Sequence, residues 1–142
     1  MDNQPIVIER TYNAPVAKIW AALTDGAQMK QWYFPMIESF KPEIGFRTEF
    51  DVPYEDRNFP HIWKVTESVP NKIIAYDWKF GGYPGNSNLR FTLQPYDEKT
   101  LLILSHTDLL SFDPENHPEF SSANFHEGWE ELLESLDNHL RS

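Results

Sequence analysis

The segment SANFHEGWEELLESLDNHL, residues 122–140, decides the fold of this 142-residue chain. Its apolar side chains recur every three or four residues, as on one face of an α-helix: Phe125, Trp129, Leu132, Leu133, Leu136 and Leu140. The opposite face carries mostly carboxylates. A helix of this length spans about 30 Å, the width of a small domain. We therefore predict a long C-terminal helix whose apolar face lies across a second layer of structure.

The sequence before this helix is dominated by segments that alternate between apolar and polar residues, with turn residues between them. Such segments predict antiparallel strands, here at Ile6–Tyr12, Met36–Phe40, Phe46–Asp51, Ile62–Val69, Ile73–Phe80, Asn88–Pro95 and Thr100–Leu109. The segments Val52–Pro60 and Ser111–Phe120 each contain two prolines and are predicted as loops.

Two short helices are predicted after the first strand. Pro15 suits the first turn of a helix, where its missing N–H costs nothing, and Asp25 can cap a second helix that ends before Pro35. We expect an α+β fold of the helix-grip type, in which a curved antiparallel sheet of six to seven strands wraps around the C-terminal helix. The whole chain, residues 1–142, is expected to form one domain.

The composition excludes several classes of function. The formal net charge is -10, with 22 acidic and 12 basic residues, which disfavours binding to nucleic acid or to anionic membranes. The chain has no cysteine, so disulfides, thiolate zinc sites and thiol nucleophiles are excluded. The 21 aromatic residues, 5 Trp, 6 Tyr and 10 Phe, leave room for an apolar pocket as well as a core.

The N-terminal residues show neither the basic nor the apolar region of a secretory signal. The longest apolar run is Leu101–Leu104, far shorter than the roughly 18 residues needed to span a bilayer. We therefore expect a cytoplasmic protein without membrane insertion.

Several motifs, taken in order, resemble one known family. They are Asn13-Ala14-Pro15-Val16, Ile19-Trp20, Leu23-Thr24-Asp25, Gln31-Trp32-Tyr33, Val65-Thr66-Glu67, Pro70, Ile74, Tyr76, Trp78, Leu102 to His106, His126, Gly128-Trp129, Leu132-Leu133, Leu136 and Leu140. Together they resemble the activator-of-Hsp90-ATPase-like family within the START-like (SRPBCC, Bet v 1-like) superfamily. One departure is Ile44-Gly45, where relatives often have a Gly-Gly pair.

The resemblance implies a cavity between the sheet and the long helix, and no single activity. Relatives include ligand carriers and polyketide cyclases. The eukaryotic co-chaperones that resemble this domain carry a separate N-terminal domain, which this sequence lacks. An Hsp90-type chaperone is therefore a possible partner, but a less favoured one than a small molecule. A monomer or weak dimer is expected, with no cofactor.

Three residues are candidates for acid–base catalysis in such a cavity, and each has a structural alternative. His106 and Asp108 share a strand face and could form an acid–base pair, or His106 could simply be bonded to its neighbours. Glu67 near Tyr76 could be a proton carrier with a raised pKa, or Glu67 could lie on the solvent face.

The candidate ligand-binding residues are mainly large aromatic side chains, which could equally form the core: Trp32, Phe50, Trp63, Tyr76, Trp78, Phe91, Phe125, Gly128 and Trp129. Gly128 is notable because glycine inside a helix costs roughly 1 kcal/mol relative to alanine. Its position beside the apolar face predicts either a close approach of helix to sheet or empty volume beneath the helix. The family cavity favours empty volume.

No metal site is expected. The nearest motif is His126-Glu127-Gly128-Trp129-Glu130, which has glutamate where a zincin motif has its second histidine. This pattern favours a solvated helix face.

Three functions remain open from the sequence. The first is a carrier or sensor that binds an apolar molecule, aromatic or lipid-like, in the cavity. The second is a cyclase- or hydrolase-like enzyme that uses His106, Glu67 or Tyr76. The third is a protein-interaction module of the co-chaperone type.

Overall fold

The alternating and helical sequence patterns form six strands and three α-helices in the computed structural model, which describes residues 4–141. The strands are β1 (Ile6–Tyr12), β2 (Arg47–Tyr54), β3 (Arg57–Val69), β4 (Ile73–Phe80), β5 (Ser87–Tyr96) and β6 (Lys99–Thr107). The α-helices are α1 (Val16–Thr24), α2 (Gly26–Trp32) and α3 (Ser122–Arg141), and two short 3-10 helices lie at Leu109–Phe112 and Pro118–Phe120.

The strands form one antiparallel sheet in the order β1-β6-β5-β4-β3-β2. Consecutive strands from β2 to β6 pair as neighbours, and β1 closes the other edge by pairing with β6. The register between β3 and β4 shifts between Val65 and Glu67, and such a bulge bends and twists the bulged strand. This is the predicted α+β helix-grip fold, with α1 and α2 inserted after the first strand.

The segment Val52–Pro60, predicted as a loop, is instead most of a β-hairpin. Val52 pairs with Phe59 and Tyr54 with Arg57, and only residues 55 and 56 form the turn. Pro53 is compatible with this hairpin because β2 is an edge strand, where a missing N–H breaks no ladder bond to a further strand. The prolines therefore do not interrupt the strands.

The strand predicted at Met36–Phe40 does not form, so the sheet has one strand fewer than the sequence count. The segment is irregular, and its buried side chains are Ile37 and Phe40. These two residues are three apart, whereas a half-buried strand buries every second residue. The segment thus anchors to the core through two side chains without pairing to a neighbouring strand.

Helix α3 packs differently along its length. Its C-terminal half is closely packed, with Leu133, Leu136 and Leu140 buried. The Tyr12 hydroxyl donates to the Leu133 carbonyl at 3.0 Å, and the Ser135 hydroxyl donates to the Trp32 carbonyl at 2.9 Å. Its N-terminal half carries Phe125 and Gly128, which are only partly buried, as is Leu132 at the middle of the helix. This half lies over a cavity.

Candidate functional site

A cavity of about 670 Å³ lies between the N-terminal half of α3 and the β2–β3 side of the sheet. Strands β2, β3 and β4 supply one wall, α3 supplies the opposite wall, and the 3-10 helix Pro118–Phe120 lies at one side. The volume falls within the range of pockets that enclose drug-sized molecules.

The inner part of the cavity is aromatic and buried. Its buried lining residues are His61, Trp78, Phe80, Phe120 and Trp129. Phe80 and Phe120 stack with their ring planes 10° apart, and Trp78 meets Trp129 edge to face at 5.5 Å. Aromatic pairs of this kind favour defined ring orientations, and the inner wall is therefore mainly apolar and built from packed rings.

The rim of the cavity is charged. Four carboxylate side chains and one guanidinium line it: Glu55, Glu119, Glu127, Glu131 and Arg57. The lining therefore carries more negative than positive charge, as does the whole chain. An anionic ligand would approach this opening against electrostatic repulsion.

Arg57 links three segments across the rim. Its guanidinium forms an ion pair with Glu119 at 2.7 Å, donates a hydrogen bond to the Tyr83 hydroxyl at 2.7 Å, and lies 4.7 Å from the centre of the Phe59 ring. These contacts join the β2–β3 hairpin to the 3-10 helix Pro118–Phe120 and to the β4–β5 turn. We call this group of four residues the rim clasp.

His61 is a polar side chain in the wall of this aromatic cavity. Its Nδ1 lies 2.9 Å from the Phe59 carbonyl oxygen, so Nδ1 carries the proton and Nε2 carries the free lone pair. Within residues 4–141, no donor lies within hydrogen-bond distance of Nε2. Burial lowers the pKa of His61 to about 4, so the ring is neutral at physiological pH.

His106, a predicted catalytic candidate, is buried beside the cavity and both of its ring nitrogens are engaged. Trp129 Nε1 donates to Nδ1 at 3.1 Å, so Nε2 carries the proton and donates to the Ser87 hydroxyl at 2.8 Å. Ser87 in turn donates to the Trp78 carbonyl at 2.9 Å. The bond from Trp129 leaves His106 no free lone pair, and burial lowers its pKa to about 3, so it has little tendency to accept a proton.

Tyr76, the second candidate, is fully buried on β4. Its hydroxyl lies 2.8 Å from the Tyr33 hydroxyl, and burial raises the pKa of both phenols well above the usual value. Tyr76 is not part of the cavity lining. The Tyr33–Tyr76 pair thus satisfies two buried hydroxyls inside the core.

Glu67, the third candidate, forms an ion pair with Arg90, and both side chains are partly exposed to solvent. Neither residue lines the cavity. The three predicted acid–base candidates therefore do not converge on one point of the cavity.

The predicted ligand-binding residues divide into two groups. Trp78, Phe125, Gly128 and Trp129 line the cavity. The others are buried in the core away from its lining: Trp32, Phe50, Trp63, Tyr76 and Phe91. Trp63 illustrates why a predicted residue can lie away from the lining. It pairs with Trp78 across β3 and β4, but Tyr33 covers it, with a ring centre 5.1 Å away.

Gly128 adjoins open space. A Cβ at this position would meet no atom within 4 Å, apart from its chain neighbours and the helix backbone. A larger side chain there would extend into the cavity that Gly128 lines. Of the two alternatives drawn from the sequence, this geometry matches empty volume rather than close approach.

Several lining residues are not predicted from the sequence, among them Phe34, Phe59, His61, Phe80, Phe120 and Leu132. A usable signal existed for His61, since it precedes Trp63 and Val65 at steps of two and must share their inward face. Phe34 and Phe120 lie outside the strands and α3, and no periodicity assigns them a face.

Metal ligands do not cluster in the described part of the chain. Across residues 4–141, no group of three or more His, Cys, Asp or Glu side chains is placed to hold a metal ion. His126 and Glu130 lie 3.8 Å apart on the partly exposed face of α3.

No helix within residues 4–141 is long and apolar enough to cross a membrane.

Solved structures of bacterial proteins share this fold. Protein MLL2253 from Mesorhizobium loti is 26% identical, with a TM-score of 0.77 and 97% of each chain covered. Protein CV1439 from Chromobacterium violaceum is 19% identical, with a TM-score of 0.77 over 100% of this chain and 99% of its own. A protein from Arthrobacter aurescens is 19% identical, with a TM-score of 0.80 over 98% of this chain and 87% of its own.

The comparison with curated proteins gives no match. The comparison with protein families matches residues 13–141 to the family described as Activator of Hsp90 ATPase homolog 1-like protein. The match runs from the residues before α1 to the end of α3 and so includes every element that forms the cavity. The chain belongs to the activator of Hsp90 ATPase homolog 1-like family, within the START-like superfamily.

Proposed function

We propose that this protein binds an apolar small molecule, aromatic or lipid-like, in the cavity between α3 and the sheet. The observation that carries the proposal is the 670 Å³ space with an aromatic inner wall and a polar rim. A largely apolar cavity with a few polar groups is the usual design of a small-molecule site.

The arrangement of titratable groups supports a carrier or sensor more than an enzyme. A general base needs a free lone pair and a pKa near the working pH, whereas His106 has neither. Glu67 and Tyr76 lie outside the cavity lining. Binding without chemistry is therefore the function that these contacts support best.

We also infer that the protein is a cytoplasmic monomer or weak dimer, and that its partner is a small molecule rather than a chaperone. Among residues 4–141 the large exposed apolar side chains come from different strands and a connecting segment, at Val7, Ile44, Tyr54, Val69 and Tyr96, and Val7 and Tyr54 lie on opposite edge strands of the sheet. A docking face for a protein partner is usually a contiguous patch.

Native mass spectrometry of the purified protein, followed by titration with the neutral fluorescent probe N-phenyl-1-naphthylamine, tests the proposal. We expect either a co-purifying small molecule or saturable binding of one probe per chain. A protein that is free of bound molecules and gives no saturable probe signal would contradict it.

A further inference from the structure

His61 is one of two polar groups of the inner cavity wall with unused bonding capacity, the other being the indole N–H of Trp78. It is only 6% exposed, yet it lines the cavity. Its Nδ1 proton is committed to the Phe59 carbonyl at 2.9 Å. The part of the ring that stays unbonded is the Nε2 lone pair, which can accept one hydrogen bond.

The His61 ring is held in place by its neighbours. It stacks on Phe50 at 5.2 Å with ring planes 22° apart, and it meets Phe80 edge to face at 4.8 Å. Trp78 lies edge-on at 5.4 Å. A ring enclosed in this way, with Nδ1 also bonded, presents its Nε2 acceptor in a fixed direction.

The other buried histidine provides an internal comparison. His106 uses both ring nitrogens within the protein, one with Trp129 and one with Ser87. Buried polar groups are normally satisfied in this way. His61 Nε2 has no such partner among residues 4–141, and it belongs to a side chain that lines the cavity, as does Trp78, whose indole N–H is buried without an acceptor.

The rim limits the charge of what can enter. Its four carboxylates outnumber the one guanidinium, and Arg57 is already bonded to Glu119 and Tyr83. A carboxylate ligand would meet like charge at the rim and an apolar wall inside, where an unpaired charge is costly.

We propose that His61 selects neutral aromatic ligands that carry a hydroxyl group, such as phenols, because its Nε2 accepts the hydroxyl proton in a hydrogen bond. This inference rests on the proposed binding function and adds the ligand class to it. Hydrocarbons of the same shape would leave Nε2 unpaired, and carboxylates would be repelled at the rim.

Calorimetric titration with three probes of one shape tests the inference: 2-naphthol, naphthalene and 2-naphthoate. We expect 2-naphthol to bind about fivefold to tenfold more tightly than naphthalene, the usual net effect of one hydrogen bond. We expect 2-naphthoate to bind more weakly than both, with a deficit that shrinks at high salt. Equal affinity for 2-naphthol and naphthalene would overturn the inference.

The variant His61→Phe should lose the preference for 2-naphthol, so that the ratio between its affinities for 2-naphthol and naphthalene falls toward unity. The matched control is His126→Phe, the same substitution on the exposed face of α3, which should keep the preference. A preference that survives in His61→Phe would overturn the assignment to His61.

Nitrogen-15 NMR of the histidine side chains gives a second readout that needs no variant. The Nε2 resonance of His61 should shift much further with 2-naphthol, which donates a hydrogen bond to it, than with naphthalene, which acts only through its ring current. Equal shifts at saturation would contradict the inference. If none of the three probes binds, the proposed function fails as well. If the two neutral probes bind equally, only the role of His61 fails.

Discussion

The indole N–H of Trp129 donates a hydrogen bond to Nδ1 of His106 at 3.1 Å, which joins α3 to β6 beneath the cavity. Trp63, also fully buried, has an indole N–H that finds no acceptor among residues 4–141. The two tryptophans therefore make a matched pair, one with its hydrogen bond and one without.

Trp129→Phe should destabilise the protein by about 2 kcal/mol more than Trp63→Phe. Both changes remove similar buried volume, but Trp129→Phe also leaves Nδ1 of His106 unpaired, at a cost of about 1–3 kcal/mol. Trp63→Phe removes a donor that already lacks a partner. Urea denaturation of both variants measures the difference, and equal losses would contradict the hydrogen-bond assignment.

Gly128→Leu should fill part of the cavity. Since a side chain at Gly128 meets open space, we expect the melting temperature to hold or rise, helped by a gain in helix propensity of roughly 1 kcal/mol. Binding of N-phenyl-1-naphthylamine should weaken. A melting temperature that falls clearly, as overpacking by about 1–3 kcal/mol would produce, with probe binding unchanged would place the cavity elsewhere.

Stability should depend on pH through His61 and His106. Folding lowers their pKa values from 6.5 to about 4 and about 3, so below pH 6.5 the unfolded chain binds more protons than the folded one. Their contribution is complete above pH 6.5 and is lost as the pH falls. Between pH 7 and pH 5 each should remove about 2 kcal/mol from the free energy of unfolding.

Other groups titrate in the same range, so the comparison with His61→Phe isolates one histidine. The fall in unfolding free energy between pH 7 and pH 5 should be smaller in this variant by about 2 kcal/mol. Urea denaturation at both pH values measures it, and equal falls would show that His61 is not neutral in the fold.

The rim clasp should control access more than stability. Arg57→Gln removes the contacts to Glu119 and Tyr83, and exposed ion pairs contribute little to stability. We expect an unchanged melting temperature and faster association of N-phenyl-1-naphthylamine in stopped-flow experiments. Arg47→Gln is the control, because the Arg47–Glu49 pair is exposed and outside the lining. Identical rates in both variants would rule out a gating role.

Local sequence patterns predicted most of the fold. Strand β4 was predicted with the residues that form it, Ile73–Phe80, and α3 to within one residue at its C-terminus. One error came from proline, because Pro53 lies in an edge strand that tolerates it. The other came from alternation, because Met36–Phe40 alternates in sequence but does not pair with any strand. Alternation shows which residues share a face, and it does so without knowledge of tertiary contacts.

The cavity wall was harder to predict because it depends on contacts between distant segments. Trp63 and Trp78 are paired and equivalent by sequence pattern, yet Tyr33 covers one and leaves the other in the cavity lining. Contacts between distant segments also keep Phe91 and Phe50 out of the cavity lining and place Phe120 in it. Only the packing of the loops and α2 against the sheet separates core from wall.

Chemical-shift mapping with N-phenyl-1-naphthylamine tests the binding site most directly. On titration to one equivalent, the backbone amides of His61 and Gly128 and the indole N–H of Trp129 should shift together. The amides of Glu67 and Arg90, whose ion pair lies outside the cavity lining, should not. Shifts confined to Glu67 and Arg90, or absent from the cavity residues at saturation, would contradict a ligand site between α3 and the sheet.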